Sequence, residues 1–312
     1  MKRALWWLAG LIGVALLLRL GLHFPWRETG MTLAKAKGSL LAAALLVNLI
    51  SPLTKGWGWH LLLRSVAPHR WWAAQQANLV GTAVNVIGVG VSGEAARVSF
   101  MVRRERTPLR ATTLSVVGSR AVEAFGLAVF VLLAPLVFEL PSAIRAVQLG
   151  GGVLLLVTLV LGRFAVWDRL VQWLPRRLRA GALELGTMGK GGQLLAPTIL
   201  AVINWLAQWA TYYLALQATH VAASPSAAFV ALLAVNLGGI VRITPANAGV
   251  MQAAMAAALL PFGVPAERSV AAGLALQAIQ VVPMLICGLL IAGRAGFRVT
   301  AAPLNAASTP PV

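Results

Sequence analysis

The chain has 312 residues, of which 59% are hydrophobic and 11% charged, and its mean hydropathy is +0.81. Soluble domains carry about 25% charged residues, so this composition excludes a soluble globular protein and indicates an integral membrane protein. The net charge of +18 would suggest nucleic-acid binding in a soluble protein. Here the basic residues fall mainly between apolar runs, which indicates membrane topology and attraction to anionic lipid.

Six apolar runs are long enough to cross a bilayer of about 30 Å at 1.5 Å per residue. They lie near residues 4–22, 39–63, 111–138, 145–162, 194–216 and 269–293. The first follows Met1-Lys2-Arg3 and has no small-x-small cleavage site after it, which favours an uncleaved span over a signal peptide. Two further segments, 72–100 and 225–262, are apolar but interrupted. We interpret each as a broken helical hairpin that returns to its starting side.

The distribution of Lys and Arg predicts the orientation. With the N terminus inside, seventeen basic residues fall inside and five fall outside. The five outside residues are Arg27, Lys35, Lys37, Arg145 and Arg268. This excess satisfies the positive-inside rule and predicts that both termini lie in the cytoplasm of a bacterial cell, with the chain in the inner membrane.

Four basic side chains lie within apolar runs, where a charge is costly and a functional role is the default expectation. They are Arg19, Lys55, Arg120 and Arg242.

The predicted topology contains an internal repetition. The order span, broken hairpin, span occurs at 39–138 and again at 194–293, and the two hairpins enter from opposite sides. Inverted repeats of this kind place two discontinuous elements near the midplane, around a substrate. The alternative is ordinary transmembrane hairpins with loops at the surface. We predict an all-α polytopic bundle, with residues 1–300 as one membrane domain.

The first hairpin carries glycines at 88, 90 and 93, which allow close backbone approach, followed by Glu94 and Arg97. The two charges are three residues apart on one helix face and can pair. Arginine can bind a phosphate in a fork, and glutamate can orient the arginine or accept from an ammonium group. The alternative is a structural salt bridge that caps a helix.

Arg120 and Glu123 repeat this spacing inside the span 111–138. Because an unpaired charge there would be very costly, we expect the two side chains to pair and to face protein or a polar cavity. Structural pairing and ligand contact are both open.

The second hairpin is interrupted at residues 243–249, Ile-Thr-Pro-Ala-Asn-Ala-Gly, directly after Arg242. Non-helical backbone at membrane depth persists only when it is buried in protein or lines a cavity. The break therefore predicts a binding site, in which Arg242 contacts a headgroup and Thr244, Asn247, Gly249 and the nearby Gln252 supply hydrogen bonds.

Two segments lie outside this membrane scheme. The connector 163–190 has an amphipathic pattern and is expected on the inner leaflet, as one helix or as two short helices divided at Pro175. The tail 301–312 has the composition of disorder.

The residues indicate neither catalytic nor metal chemistry. The four histidines show no ligand spacing, and no nucleophile with a neighbouring base can be named. The single cysteine, Cys287, excludes a disulfide within the chain. We expect no catalytic residue, no metal and no cofactor, and hence no enzyme.

Taken in order, several short motifs resemble a known family. They are Gly93-Glu94-x-x-Arg97, Arg103-Arg104, Ser119-Arg120-x-x-Glu123, Thr244-Pro-Ala-Asn-Ala-Gly249 and Gly263-Val-Pro265. Together they look like the flippase-like membrane domain of bacterial lysylphosphatidylglycerol synthases, in a stand-alone member without the soluble aminoacyl-transfer domain. The family often has two glycines where this chain has Ala246 and Asn247, and a glutamate where it has Gln252.

The resemblance and the polar breaks together predict a flippase-like transporter or binder of a membrane lipid with an anionic or phosphate headgroup. The headgroup site is predicted to consist of nine residues: Glu94, Arg97, Arg120, Glu123, Arg242, Thr244, Asn247, Gly249 and Gln252. The alternative is a non-catalytic accessory subunit that docks a lipid-modifying or glycosyl-transferring enzyme through the basic surfaces 97–110 and 163–190. No nucleic-acid partner is expected, and the oligomeric state is open.

Overall fold

The computed structural model describes residues 24–88, 92–139, 142–164, 192–239 and 244–296. All regular secondary structure in these ranges is helical, so the all-α prediction is confirmed. The α-helices are α1 Trp26–Ala34, α2 Gly38–Asn48, α3 Ile50–Leu63, α4 Trp71–Ile87, α5 Ser92–Glu105, α6 Leu109–Leu133, α7 Ser142–Phe164, α8 Leu195–Ala218, α9 Pro225–Gly238, α10 Val250–Leu259 and α11 Ala266–Arg294. The predicted span 4–22, residues 165–190 of the connector and the tail 301–312 lie outside the described residues.

Within the described ranges, four helical segments are long and apolar enough to cross a membrane: Gly38–Leu63, Leu109–Leu136, Leu195–Ala218 and Ala266–Arg294. They coincide with four of the predicted spans, and α7 covers a fifth. Large apolar side chains such as Leu46, Leu133, Leu154, Ile199 and Leu290 point outward and are at least half exposed. So wide an apolar surface suits contact with lipid tails.

The predicted span 39–63 is divided into two helices, α2 and α3, at Leu49. Pro52 explains the division, because its ring displaces the carbonyl four residues earlier, at Asn48, and its nitrogen cannot donate to that carbonyl. The segment still runs in one direction across the bundle.

Buried amide side chains bond to carbonyls that prolines leave without a partner. Pro283 lies inside α11 and cannot donate to the carbonyl of Ile279, which instead accepts from Nδ2 of Asn48 at 3.2 Å. Pro135 has the same effect on the carbonyl of Val131, to which Nε2 of Gln148 donates. These amides satisfy backbone groups that have no water to bond.

The segment 72–100 forms the first hairpin, α4 and α5, as predicted. The two helices approach closely because Gly81 and Gly93 face each other, and a Cβ at Gly93 would lie 2.2 Å from the carbonyl oxygen of Gly81. Arg70 precedes α4 and Glu105 ends α5, and their side chains pair at 2.8 Å. The hairpin therefore returns to the end of the bundle at which it starts.

The second hairpin consists of α9 and α10, separated by residues 239–249. Ser224 caps α9 with its hydroxyl, which accepts from the backbone N–H of Ala227 at 3.1 Å, and Pro225 occupies the first helical position. Gly263, in the left-handed conformation at φ +70°, ends the turn that follows α10.

The two hairpins enter the bundle from opposite ends. At one end, the backbone N–H of Lys37 donates to Ala218 at 2.9 Å, and Thr29 donates to the carbonyl of Glu267 at 3.3 Å. The second hairpin starts and finishes there, between the end of α8 and the start of α11. At the other end, the last residue of α11, Arg294, shares a cavity with residues of α4 and α5.

Two apolar cores hold the hairpins in place. One surrounds Trp59, Leu63, Phe100 and Met101, where α3 and the first hairpin pack together. The other surrounds α8, the second hairpin and α11, and its largest fully buried side chains include Tyr212, Phe229, Leu232, Met255 and Leu276. Each hairpin is thereby packed into one of the two cores.

Candidate functional site

Described residues on either side of the two hairpin breaks line one polar cavity of about 250 Å³. Its wall combines charged and amide side chains from both halves of the chain. The residues lining it are Lys55, Asn78, Gly81, Thr82, Asn85, Val86, Gly93, Glu94, Arg97, Arg120, Glu123, Thr244, Ala246, Asn247, Gln280 and Val281. We call this the ionic cavity, because five ionisable side chains line it.

A network of three charged side chains forms one wall of the ionic cavity. Nη1 of Arg120 donates to Glu123 at 2.9 Å, as the spacing of three residues on α6 predicts. Nη2 of Arg120 donates to Glu94 of α5. The predicted direct pairing of Glu94 with Arg97 is therefore wrong, since Glu94 pairs directly with Arg120, although Glu94 and Glu123 both interact electrostatically with Arg97.

Arg97 is the buried cation of the site, with a relative exposure of 5%. Its guanidinium lies over the ring of Trp59, 4.0 Å from the ring centroid. Trp59 is fully buried and fixed by a hydrogen bond from Nε1 to the hydroxyl of Ser115 at 2.9 Å. Nε and Nη2 of Arg97 donate to no acceptor among the described residues. These two nitrogens are themselves fully buried, so what Arg97 brings to the wall of the ionic cavity is the positive charge of its guanidinium.

The charges around the ionic cavity do not cancel. Lys55, Arg97 and Arg120 supply three positive charges and Glu94 and Glu123 two negative charges, so the described lining has one positive charge in excess. Lys55 interacts electrostatically with Glu123. The cavity thus favours a ligand group with negative charge.

The break in the second hairpin forms the opposite wall. Ala246 and Asn247 have φ of 53° and 54°, in the left-handed region that non-glycine residues seldom occupy. The hydroxyl of Thr244 donates to the carbonyl of Ala248 at 2.8 Å. Oδ1 of Asn247 has no hydrogen-bond partner among the described residues, although it is buried.

Gln252 supports this break without lining the cavity. Its Oε1 accepts from the backbone N–H of Gly249 at 2.8 Å, and its Nε2 donates to Gln277 at 2.7 Å. Gln277 in turn donates to the carbonyl of Ala246 at 2.9 Å. Gly249 caps α10 with φ +83°. Gln252 and Gly249 thus position the loop that carries Thr244 and Asn247.

The structure brings six of the nine predicted site residues to the ionic cavity. They are Glu94, Arg97, Arg120, Glu123, Thr244 and Asn247. Arg242 lies outside the described residues. The burial of Arg97 also removes it from the basic surface 97–110, in which Arg103, Arg104, Arg106 and Arg110 remain exposed.

Several residues of the cavity were missed. Lys55 was noted as a charge in an apolar run but was not assigned to the site, although its position alone marked it as a candidate. The amides Asn78, Asn85 and Gln280 gave no signal that distinguishes them from residues that satisfy the backbone. Asn85 does both, since its Oδ1 accepts from the N–H of Gly93 at 2.9 Å.

Comparison with known families decides the classification. The family described as the lysylphosphatidylglycerol synthase TM region matches residues 6–288. The chain belongs to this family. The match confirms the resemblance inferred from the motifs, and it includes both hairpins and every described residue of the ionic cavity. No curated protein and no solved structure matches the chain at a significant level.

This member of the lysylphosphatidylglycerol synthase TM region family is therefore a multi-pass membrane protein with a lipid-related function. The charged and amide side chains of the ionic cavity are the part of the bundle in which a polar lipid headgroup would find hydrogen bonds and compensating charge.

Proposed function

We propose that the protein binds the phosphate-bearing headgroup of a membrane lipid in the ionic cavity and moves or presents that lipid between the leaflets of a bacterial inner membrane. The observation that carries the proposal is the burial of the positively charged Arg97 in the wall of this cavity. Burial of a guanidinium, here with two nitrogens that have no acceptor among the described residues, costs several kcal/mol, and a phosphate in the cavity that Arg97 lines would supply the opposite charge.

The surrounding charges support an anion. Glu94 and Glu123 are held by Arg120 and also interact electrostatically with Arg97, and the described lining as a whole keeps one positive charge in excess. The entry of the two hairpins from opposite ends supports movement between leaflets, because a site between two such tips can be opened toward either side by small motions of either hairpin.

The test compares Arg97→Gln and Arg97→Lys with Arg104→Gln, which removes a charge from an exposed position on the same helix. Each purified variant is reconstituted into liposomes that contain labelled phosphatidic acid, and retained lipid and leaflet exchange are measured. We expect Arg97→Gln to lower retention by about 10- to 100-fold, since a charge-assisted bond contributes roughly 1.5–3 kcal/mol. Arg97→Lys keeps the charge and loses the fork, and should fall between.

The control Arg104→Gln should match the parent protein in both measurements. Equal retention by Arg97→Gln and the parent would contradict the headgroup site. Retention without leaflet exchange in the parent would restrict the function to binding and presenting the lipid.

A further inference from the structure

A second cavity of about 300 Å³ adjoins the ionic cavity. The two cavities share part of their lining, and the shared residues are Lys55, Asn78, Thr82, Ala246, Asn247, Gln280 and Val281. Lys55 is the only charged side chain among the described residues of the second lining. Amides and hydroxyls supply most of its remaining polar atoms, and we call it the amide cavity.

The amide side chains of this cavity are held in fixed positions by one another. Nε2 of Gln280 donates to Gln208 at 3.0 Å, and Gln280 also interacts with the hydroxyl of Tyr212. Gln277 accepts from Gln252 and donates to the carbonyl of Ala246. Each amide has four hydrogen-bonding positions, so these bonds leave both donors and acceptors for a ligand.

The two cavities differ in the side chains that α6 and α11 carry at corresponding positions. Arg120 and Glu123 lie 11 and 14 residues after the first residue of α6. Gln277 and Gln280 lie 11 and 14 residues after the first residue of α11. Each helix follows a broken hairpin, and each contacts the hairpin before it through the first of these residues: Arg120 through Glu94, and Gln277 through Gln252. An ionic pair in one half is thus an amide pair in the other.

This chemistry selects a type of ligand group. A hydroxyl both donates and accepts, as an amide does, whereas a second charged group would need a counter-ion that the amide cavity does not offer beyond Lys55. The aromatic rings of Trp205 and Tyr212 also line this cavity and supply flat apolar surface next to the amides. The volume equals the share of about ten water molecules, enough for one sugar-sized ring.

We infer that the headgroup has two parts, a phosphate in the ionic cavity and an uncharged polyhydroxyl group about the size of one monosaccharide in the amide cavity. This inference rests on the proposed function, because it assigns the phosphate to the same site beside Arg97. It adds the substrate class, a phospholipid esterified to a ring polyol or sugar, and it assigns Gln208, Gln277, Gln280 and Asn247 to the recognition of hydroxyl groups.

The experiment measures binding of three lipids with identical acyl chains to the full chain in nanodiscs. Phosphatidic acid carries the phosphate alone, phosphatidylinositol carries the phosphate and a polyol ring, and phosphatidylethanolamine carries the phosphate and an amine. We expect phosphatidylinositol to bind about tenfold more tightly than phosphatidic acid, as two added neutral hydrogen bonds would give. Phosphatidylethanolamine should gain nothing over phosphatidic acid.

The variant Gln208→Met keeps the length of the side chain and removes an amide that lines the amide cavity but not the ionic cavity. It should bind phosphatidic acid as the parent does, which also reports folding, and should lose most of the preference for phosphatidylinositol. Gln76→Met is the matched control, because Gln76 lies on the first hairpin and lines neither of the two cavities. It should keep the preference.

The possible failures are distinguishable. If phosphatidic acid and phosphatidylinositol bind equally to the parent, or if the preference survives Gln208→Met, the polyol site is wrong and the phosphate site stands. If none of the lipids binds, the proposed function itself fails. Inositol 1-phosphate without acyl chains tests the source of the ligand: binding as tight as that of phosphatidylinositol would overturn the assignment to a lipid.

Discussion

The first half of the bundle places ions where the second half places amides. Around the tip of the first hairpin, Glu94, Arg120 and Glu123 form salt bridges. Around the break of the second, Gln252 and Gln277 form neutral hydrogen bonds and hold the backbone of Ala246. Both networks fix a hairpin to the long helix that follows it. The difference shows that helices at corresponding places in the two halves can carry either charged or neutral polar side chains beside the adjoining cavities.

The comparison depends first on the two halves having opposite orientation, and thiol labelling tests this in an all-or-none manner. In a Cys287→Ser background, cysteines at Ala222 and Arg268, where the second hairpin begins and ends, should react with an impermeant reagent from outside. A cysteine at Arg64, just before the first hairpin, should react only after permeabilisation. If the cysteine at position 64 is labelled from the same side as those at positions 222 and 268, the two hairpins do not enter the membrane from opposite sides.

Removal of the central cation should have the largest effect on stability. Arg120→Gln leaves Glu94 and Glu123 facing each other without their common partner, and should lower the free energy of unfolding by about 3 kcal/mol. The corresponding change in the amide half, Gln277→Leu, removes the bond to the carbonyl of Ala246 and the bond from Gln252, and should cost about 1–2 kcal/mol. Denaturant titration of the purified variants measures both.

A triple change of Glu94, Arg120 and Glu123 to Gln converts the ionic network into a neutral one. It should restore part of the stability lost in Arg120→Gln, since well-bonded neutral groups can replace a charge network, while Lys55 and Arg97 lose their interactions with the carboxylates. Additive losses from the three changes would show that the charges do not act as one network.

The two hairpins should also differ in their tolerance of a methyl group. At Gly93 a Cβ would lie 2.1 Å from the side chain of Asn85 and 2.2 Å from the carbonyl of Gly81, so Gly93→Ala should cost about 1–3 kcal/mol. At Gly238 in the second hairpin the nearest atom, on Val250, is 3.4 Å away. Gly238→Ala should therefore leave stability unchanged or raise it by up to about 1 kcal/mol. Equal losses would mean that the first hairpin can separate at little cost.

The smallest effect is expected at the break of the second hairpin. Ala246 has φ of 53°, a conformation that costs a residue with a Cβ roughly 1–2 kcal/mol. Ala246→Gly removes this cost but increases the entropy of the unfolded chain, and should raise stability by less than about 1 kcal/mol. Ala248→Gly is the control, because Ala248 has no positive φ, and it should lower stability slightly. A loss at 246 as large as that at 248 would contradict strain at Ala246.

Much of the fold followed from local patterns. Apolar runs of sufficient length predicted the spans that α6, α8 and α11 form, and the interruption at 243–249 predicted the break between α9 and α10. The division at Leu49 was missed, although Pro52 gave the signal, because hydropathy does not change where a proline interrupts a helix. The pairing of Arg120 with Glu123 was predictable since both lie on one helix, three residues apart.

The partners that come from different helices could not be read from the sequence. Glu94 has Arg97 as a neighbour on its own helix but pairs with Arg120, because the glycine contact of the first hairpin and the packing of α6 bring those two side chains together. For the same reason Lys55 and Gln280, more than two hundred residues apart in the chain, line one cavity.

From the sequence alone it follows that the protein lies in a membrane, that it is helical, which family motifs it carries and where its helices break. These depend on composition, hydrophobic length and the backbone limits of proline and glycine, which act within a few residues. Tertiary structure decided that Arg97 is the buried cation of the site and that ionic and amide cavities adjoin. Burial and long-range pairing depend on how helices pack, and no local pattern contains that information.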